Sequence, residues 1–136
     1  MANSKIVMGI DDIPMWASID RHRLELQTCD DCGAIRYPPA PVCPKCLSEK
    51  ATWTAVSGEG TIISWVVFHR KYFDDHPPPY NSTAVELDEG PIIVTQLQGD
   101  EPEGSWIGKR VRLGYAEHAG RTQHFARLIA TPAGQA

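Results

Sequence analysis

Apolar and polar residues alternate through most of the second half of this chain, and a period of two predicts strands. Residues 61–69 (TIISWVVFH) form a β-branched and aromatic run behind Gly58 and Gly60. Residues 82–87 and 92–97 are two further runs, and Asp88-Glu89-Gly90-Pro91 between them predicts a hairpin. Residues 110–116 (RVRLGYA) alternate, residues 122–129 (TQHFARLI) close the series, and residues 53–56 lead into the first long strand. That makes about five strands and no internal helix. Five short strands punctuated by glycine suit a small closed barrel, of which the oligonucleotide/oligosaccharide-binding (OB) fold is the commonest.

The front of the chain reads differently. Residues 1–10 carry no pattern and are expected to be loose. Asp11 and Asp12 mark a helix start with Pro14 in its first turn. Trp16 and Ile19 share one face of this short helix, which Arg21 and Arg23 interrupt. Residues 24–27 then alternate as a strand running into Cys29. Trp16 has two readings of equal weight: it folds back on its own domain, or it docks in a partner's groove, since an arm of about 20 residues has little core of its own. The expected division is an arm and helix over 1–27, a metal-bound ribbon over 28–52, and a barrel over 53–136.

The chemistry concentrates between these parts. Cys29-Asp30-Asp31-Cys32-Gly33 is followed, ten residues on, by Cys43-Pro44-Lys45-Cys46. Two residues between thiolates let one tight turn aim both sulfurs at one ion, so two such pairs form a zinc ribbon or rubredoxin-like pair of knuckles. Turn amides also donate to the thiolates and offset their gathered charge. Gly33 follows the first pair, where a left-handed backbone is often required. A cytosolic setting disfavours two disulfides, and two redox pairs so close together are rare. Iron remains an alternative to zinc at four thiolates. Four protein ligands leave no open position, so the site is structural. Between the knuckles, residues 36–41 (RYPPAP) form a proline-stiffened loop.

Composition narrows the rest. The 136 residues are 42% hydrophobic, enough for one core, and no run approaches the roughly 20 apolar residues of a membrane helix. With no signal-peptide layout at the N-terminus, the expected location is cytoplasmic. The formal charge of −4 is uneven. Arg70 and Lys71 add two positive charges, residues 74–103 carry −8, and residues 104–136 carry +4. No broad cationic surface for nucleic acid results. Nor is there a catalytic constellation. The cysteines are committed to metal, and none of the five histidines sits in a GxSxG or HExxH arrangement. The acidic stretch reads as a solvated surface. Catalysis by this chain alone is therefore unsupported.

Several stretches together resemble a known family, the acyl-CoA-associated proteins that join a rubredoxin-like zinc ribbon to an OB-fold barrel. They are Trp16 in the leading helix, CDDCGAIRYPPAPVCPKC across the ribbon, and Trp53. VSGEGT at 56–61, Pro79-Tyr80, VELDEG at 85–90, and Ile107-Gly108 ahead of Val111 complete them. The resemblance implies a mainly β chain: a short N-terminal helix, a zinc ribbon, then a five-stranded OB barrel. It also implies an accessory subunit of a thiolase-superfamily enzyme, an acyltransferase or a CoA-thioester aldolase, in a hetero-oligomer. The partner would carry the catalysis. The small subunit would stabilise it and help enclose the acyl-CoA. Related domains also accompany hot-dog-fold enoyl-CoA hydratases.

On this footing, Trp16, His76, Pro77, Pro78, Pro79 and Tyr80 are expected at the partner interface, and Arg70 and Lys71 near a CoA phosphate. The competing class is a single-stranded nucleic-acid module, because residues 68–73 (FHRKYF) interleave basic and aromatic side chains. The −8 stretch directly downstream argues against it. The blandest reading of the same segment is a strand end packing its own aromatics.

Overall fold

The computed structural model describes residues 6–130. A 3-10 turn, Ile10–Asp12, leads directly into helix α1, Ile13–Asp20. Pro14 lies in the first turn of α1, where no intrahelical N–H is needed. Asp12 does not cap the helix with its side chain. Its carboxylate accepts instead from the Gly9 amide at 3.1 Å, closing the turn in front. At the other end, the Arg21 and His22 amides bond to the Ser18 and Ile19 carbonyls, and His22 takes a positive φ of 60°.

Three strands follow: β1 (Glu25–Cys29), β2 (Ile35–Arg36) and β3 (Ala51–Ala55). They form one antiparallel sheet in the order β2-β1-β3. Five more make the second sheet: β4 (Glu59–Phe68), β5 (Tyr80–Leu87), β6 (Ile92–Thr95), β7 (Arg110–His118) and β8 (Arg121–Leu128), in the order β6-β5-β4-β7-β8. Residues 53–56 therefore do not feed the barrel as its first strand. Trp53 pairs with Gln27 of β1, because Ser57 and Gly58 (φ +81°) turn the chain away before β4 starts. This strand spans the expected division between residues 52 and 53.

The second sheet curls until its edges meet. The Gln98 amide donates to the Ala126 carbonyl and the Ala126 amide to the Gln96 carbonyl, both at 2.9 Å, a parallel bridge between the segment after β6 and β8. Two local features permit this curvature. A bulge between Ile62 and Ser64 bends β4. Gly60 lets β4 press on β5, since a Cβ there would stand 2.5 Å from the Glu86 carbonyl oxygen and 2.7 Å from Val85 Cγ1. Buried Asn81 fixes the seam, donating to the Leu97 carbonyl and accepting from the Leu97 amide at 2.9 and 2.8 Å. The result is a mainly β chain with one short helix, a cysteine ribbon and a nearly closed five-stranded antiparallel barrel.

One apolar cluster runs through all of it. Met15, Ile19, Leu24 and Leu26 from the front join Ile62, Val85, Ile93, Val111 and Ala126 from the barrel. The buried Trp106 stacks on Trp65 with ring centroids 5.3 Å apart. Among the described residues, no helix is long and apolar enough to cross a membrane.

Candidate metal centre and barrel mouth

The two cysteine pairs sit on two turns built alike. Cys29 ends β1, and its carbonyl accepts the Gly33 amide at 2.9 Å; the Cys43 carbonyl accepts the Leu47 amide at the same distance. The residue after each knuckle is left-handed, Gly33 at φ 78° and Leu47 at φ 65°. Glycine takes this conformation freely, whereas leucine is strained in it, and no sequence motif marks Leu47 for that role. The turns face each other. Cys29 Sγ lies 3.5 Å from Cys46 Sγ and Cys32 Sγ 3.6 Å from Cys43 Sγ, and all four sulfurs fall within 4.8 Å of one another.

This geometry fits a tetrahedral zinc ion, whose Zn–S bonds of about 2.3 Å place sulfurs about 3.8 Å apart. The electrostatics fit as well. The Cys46 and then the Lys45 backbone amides hold the Cys43 thiol down at about 6. Cys29 is lowered in the same way, chiefly by the Cys32 amide. Cys46 is pushed up to about 12: the Ser48 amide lowers it, but the sulfurs of Cys29, Cys32 and Cys43, together with burial, raise it more. Four thiolates at these separations need a cation among them. Around them, Asp31 accepts from the Ser48 hydroxyl and Asp30 from the Thr52 hydroxyl at 2.7 Å, tying the first knuckle to the segment after the second and to β3.

The proline loop between the knuckles is pinned by a pair that sequence reasoning missed. Buried Arg36 donates to the Ala40 carbonyl at 3.1 Å and to Gln27 Oε1 at 3.0 Å. Gln27 Oε1 also accepts the Ala40 amide at 2.9 Å.

Of the other candidate residues, Trp16, His76 and Tyr80 gather near the β7–β8 end of the barrel. Trp16 is half-buried against the core, with the Arg121 guanidinium 5.1 Å above its ring. His76 packs edge-on to Tyr80 with centroids 4.9 Å apart, and Tyr80 stacks on Phe68 at 5.0 Å. Pro77 and Pro79 are exposed and Pro78 is half-buried. His76 also meets His118 at the end of β7, nitrogen to nitrogen at 3.2 Å. These rings border a groove of about 370 Å³ that reaches to His124 and Phe125 on β8. Lys71 is exposed and paired with Asp74 at 3.3 Å, and Arg70 lies 5.6 Å from the Tyr72 ring centroid. The fold thus brings His76, Tyr80 and His118 together, sets Trp16 beside Arg121 at the same hairpin end, and leaves Arg70 and Lys71 out on the loop.

Comparison with known proteins follows the same two parts. Residues 16–51 match the ChsH2 rubredoxin-like zinc ribbon domain, and residues 53–116 match the ChsH2 C-terminal OB-fold domain. This chain belongs to the ChsH2/DUF35 family. Its cofactor is accordingly a structural zinc ion. A DUF35 domain-containing scaffold protein of Pyrococcus furiosus is 30% identical over 69% of each chain. The 3-oxo-4,17-pregnadiene-20-carboxyl-CoA hydratase alpha subunit of Mycobacterium tuberculosis is 32% identical over 75% of this chain. A probable enoyl-CoA hydratase alpha subunit of Thermomonospora curvata is 37% identical over 79% of it. The chain spans about a third of the length of these two hydratase subunits, 32% and 34% respectively. Among solved structures, a chain of the Ltp2-ChsH2(DUF35) aldolase superposes with a TM-score of 0.83 at 30% identity, covering 91% of this chain and 98% of that one.

Proposed function

We propose that this chain is a non-catalytic accessory subunit of a thiolase-like enzyme, an acyltransferase or CoA-thioester aldolase, which it stabilises and whose acyl-CoA it helps enclose. One observation carries the reading. The likeness to a chain of the Ltp2-ChsH2(DUF35) aldolase extends over nearly the whole of both chains, so it includes helix, ribbon and barrel alike. In this reading Cys29, Cys32, Cys43 and Cys46 ligate the zinc. Trp16 and the loop from His76 to Tyr80 contribute to the partner surface, and Arg70 and Lys71 stand where a CoA phosphate approaches. Trp16 lies under Arg121 and His76 against His118, and Arg121 and His118 pair across the β7–β8 turn, which supports a single contiguous surface. Exposed Tyr72 and Phe73 on the intervening loop enlarge it.

A second reading rests on the hydratase alpha subunits, which the chain matches over a third of their length. There the chain corresponds to the ribbon-and-barrel portion of a hydratase subunit. Co-expression distinguishes the two. Tagged full-length chain is expected to co-purify stoichiometrically with a thiolase-like protein encoded beside it. Co-purification with a hydratase-fold protein instead would select the second reading, and purification of the chain alone beside both would refute each.

A further inference from the structure

We propose that Asp75, His76 and His118 form a second metal site, for a divalent transition ion, at the mouth of the barrel groove. One ligand atom from each of the three lies within 4.8 Å of the others, and all three residues are half-buried. The imidazole nitrogens of His76 and His118 approach to 3.2 Å. Two nitrogens each about 2.1 Å from one ion stand roughly 3.0–3.4 Å apart, so the rings already hold chelating distance. The set is two imidazoles and a carboxylate, which selects zinc, ferrous iron or cobalt over the oxygen-preferring calcium and magnesium.

The ligands are held in place by the fold. His76 closes a short turn through its amide to the Phe73 carbonyl at 3.2 Å, and its ring rests against Tyr80. His118 ends β7, and Gln123 donates to its carbonyl at 3.0 Å across the hairpin turn. The two histidines are 42 residues apart in sequence, so no spacing motif announces them. The site is separate from the cysteine ribbon in both ligand type and position. Three protein ligands leave coordination positions open, unlike the four-thiolate site. The adjoining groove, lined by Tyr80, Ser82, Gln96 and Gln123, supplies room and polarity for water or an oxygen-donor ligand there.

Cobalt(II) is the probe, added to the full chain purified with its ribbon zinc in place. Bound by nitrogen and oxygen, it lacks the thiolate-to-metal absorption that cobalt in the ribbon displays. Equilibrium dialysis is expected to find one exchangeable cobalt per chain, without thiolate absorption and without loss of the ribbon zinc. His118→Ala and His76→Gln should each weaken that binding by more than the roughly 10- to 100-fold typical of losing an outer ligand partner. Cobalt should raise the melting temperature of the parent chain and not of either variant. His76→Gln keeps a polar side chain of similar size and carries the test if His118→Ala fails to fold. No cobalt beyond exchange into the ribbon, or undiminished binding by a folded variant, would overturn the proposal.

Discussion

At the scale of single residues, the cysteines and Trp16 answer to different forces. Zinc–thiolate binding supplies on the order of 10 kcal/mol or more of apparent free energy, and the ribbon's short strands bury little that could replace it. Cys43→Ser removes a fully buried ligand whose thiolate two backbone amides stabilise. We expect this variant to lose one equivalent of zinc by elemental analysis and to become poorly soluble. Full zinc content in a soluble Cys43→Ser protein would contradict that. Trp16 stands against the core and under Arg121, so its local packing has energetic content whatever it contributes to a partner. Trp16→Ala should destabilise the isolated chain by about 2 kcal/mol, short of the roughly 3–5 kcal/mol of a fully buried aromatic. Chemical denaturation of the isolated chain measures this. An unchanged midpoint would assign Trp16 to the interface alone.

At the scale of elements, the barrel depends on how β6 and β8 are joined. Backbone pairing there is confined to the bridge around Ala126, and side chains complete it. Thr95 Oγ1 lies 2.8 Å from His124 Nδ1, and Asn81 braces Leu97 beside it. Burial holds the His124 imidazole below the ordinary histidine range. A histidine with a lowered folded pKa takes its proton more readily when unfolded. Its contribution is therefore complete above the unfolded value of about 6.5 and is lost as pH falls through that value toward the folded one. The urea midpoint should drop from about pH 7 to pH 5, and less steeply in His124→Gln. Asp88, held down by its hydrogen bond to Arg110, has the same sign of linkage, since its contribution is also lost as pH falls, but in the more acidic carboxylate range. The difference between parent and His124→Gln isolates the histidine from this and from zinc release. Identical slopes in the two proteins would remove His124 from the seam's energetics.

At the scale of the whole molecule, one core threads helix, ribbon and barrel, so the ribbon is packed into the body of the protein. The four cysteine thiols are gathered at one point, which leaves no thiol outside the metal centre to act as a nucleophile. On the proposed accessory role, the purified chain alone should show no turnover on acyl-CoA substrates, with activity appearing only when a partner is present. Sustained turnover by the isolated chain, proportional to its concentration through successive purification steps, would refute the accessory role.

What could be read without coordinates was local in origin. Two knuckles follow from residue spacing alone, because a tight turn is decided by the few residues inside it. Strands 4 to 8 follow from alternation, because a half-buried sheet imposes that period wherever it occurs. The helix around Trp16 follows from Pro14 in its first turn and the spacing of Trp16 and Ile19, while the expected Asp12 side-chain cap does not form. Spacing and alternation are blind to pairing between distant segments. That Trp53 joins the ribbon sheet was decided by its partner strand, 26 positions earlier at Gln27, and by the turn at Gly58. That Arg36 and Gln27 pin the proline loop, that Asn81 and His124 close the barrel, and that His76 meets His118 were decided likewise. Each joins residues between 9 and 42 positions apart. Such contacts cost chain entropy that only the assembled core repays, so they exist in the tertiary structure and leave no periodic trace in the sequence.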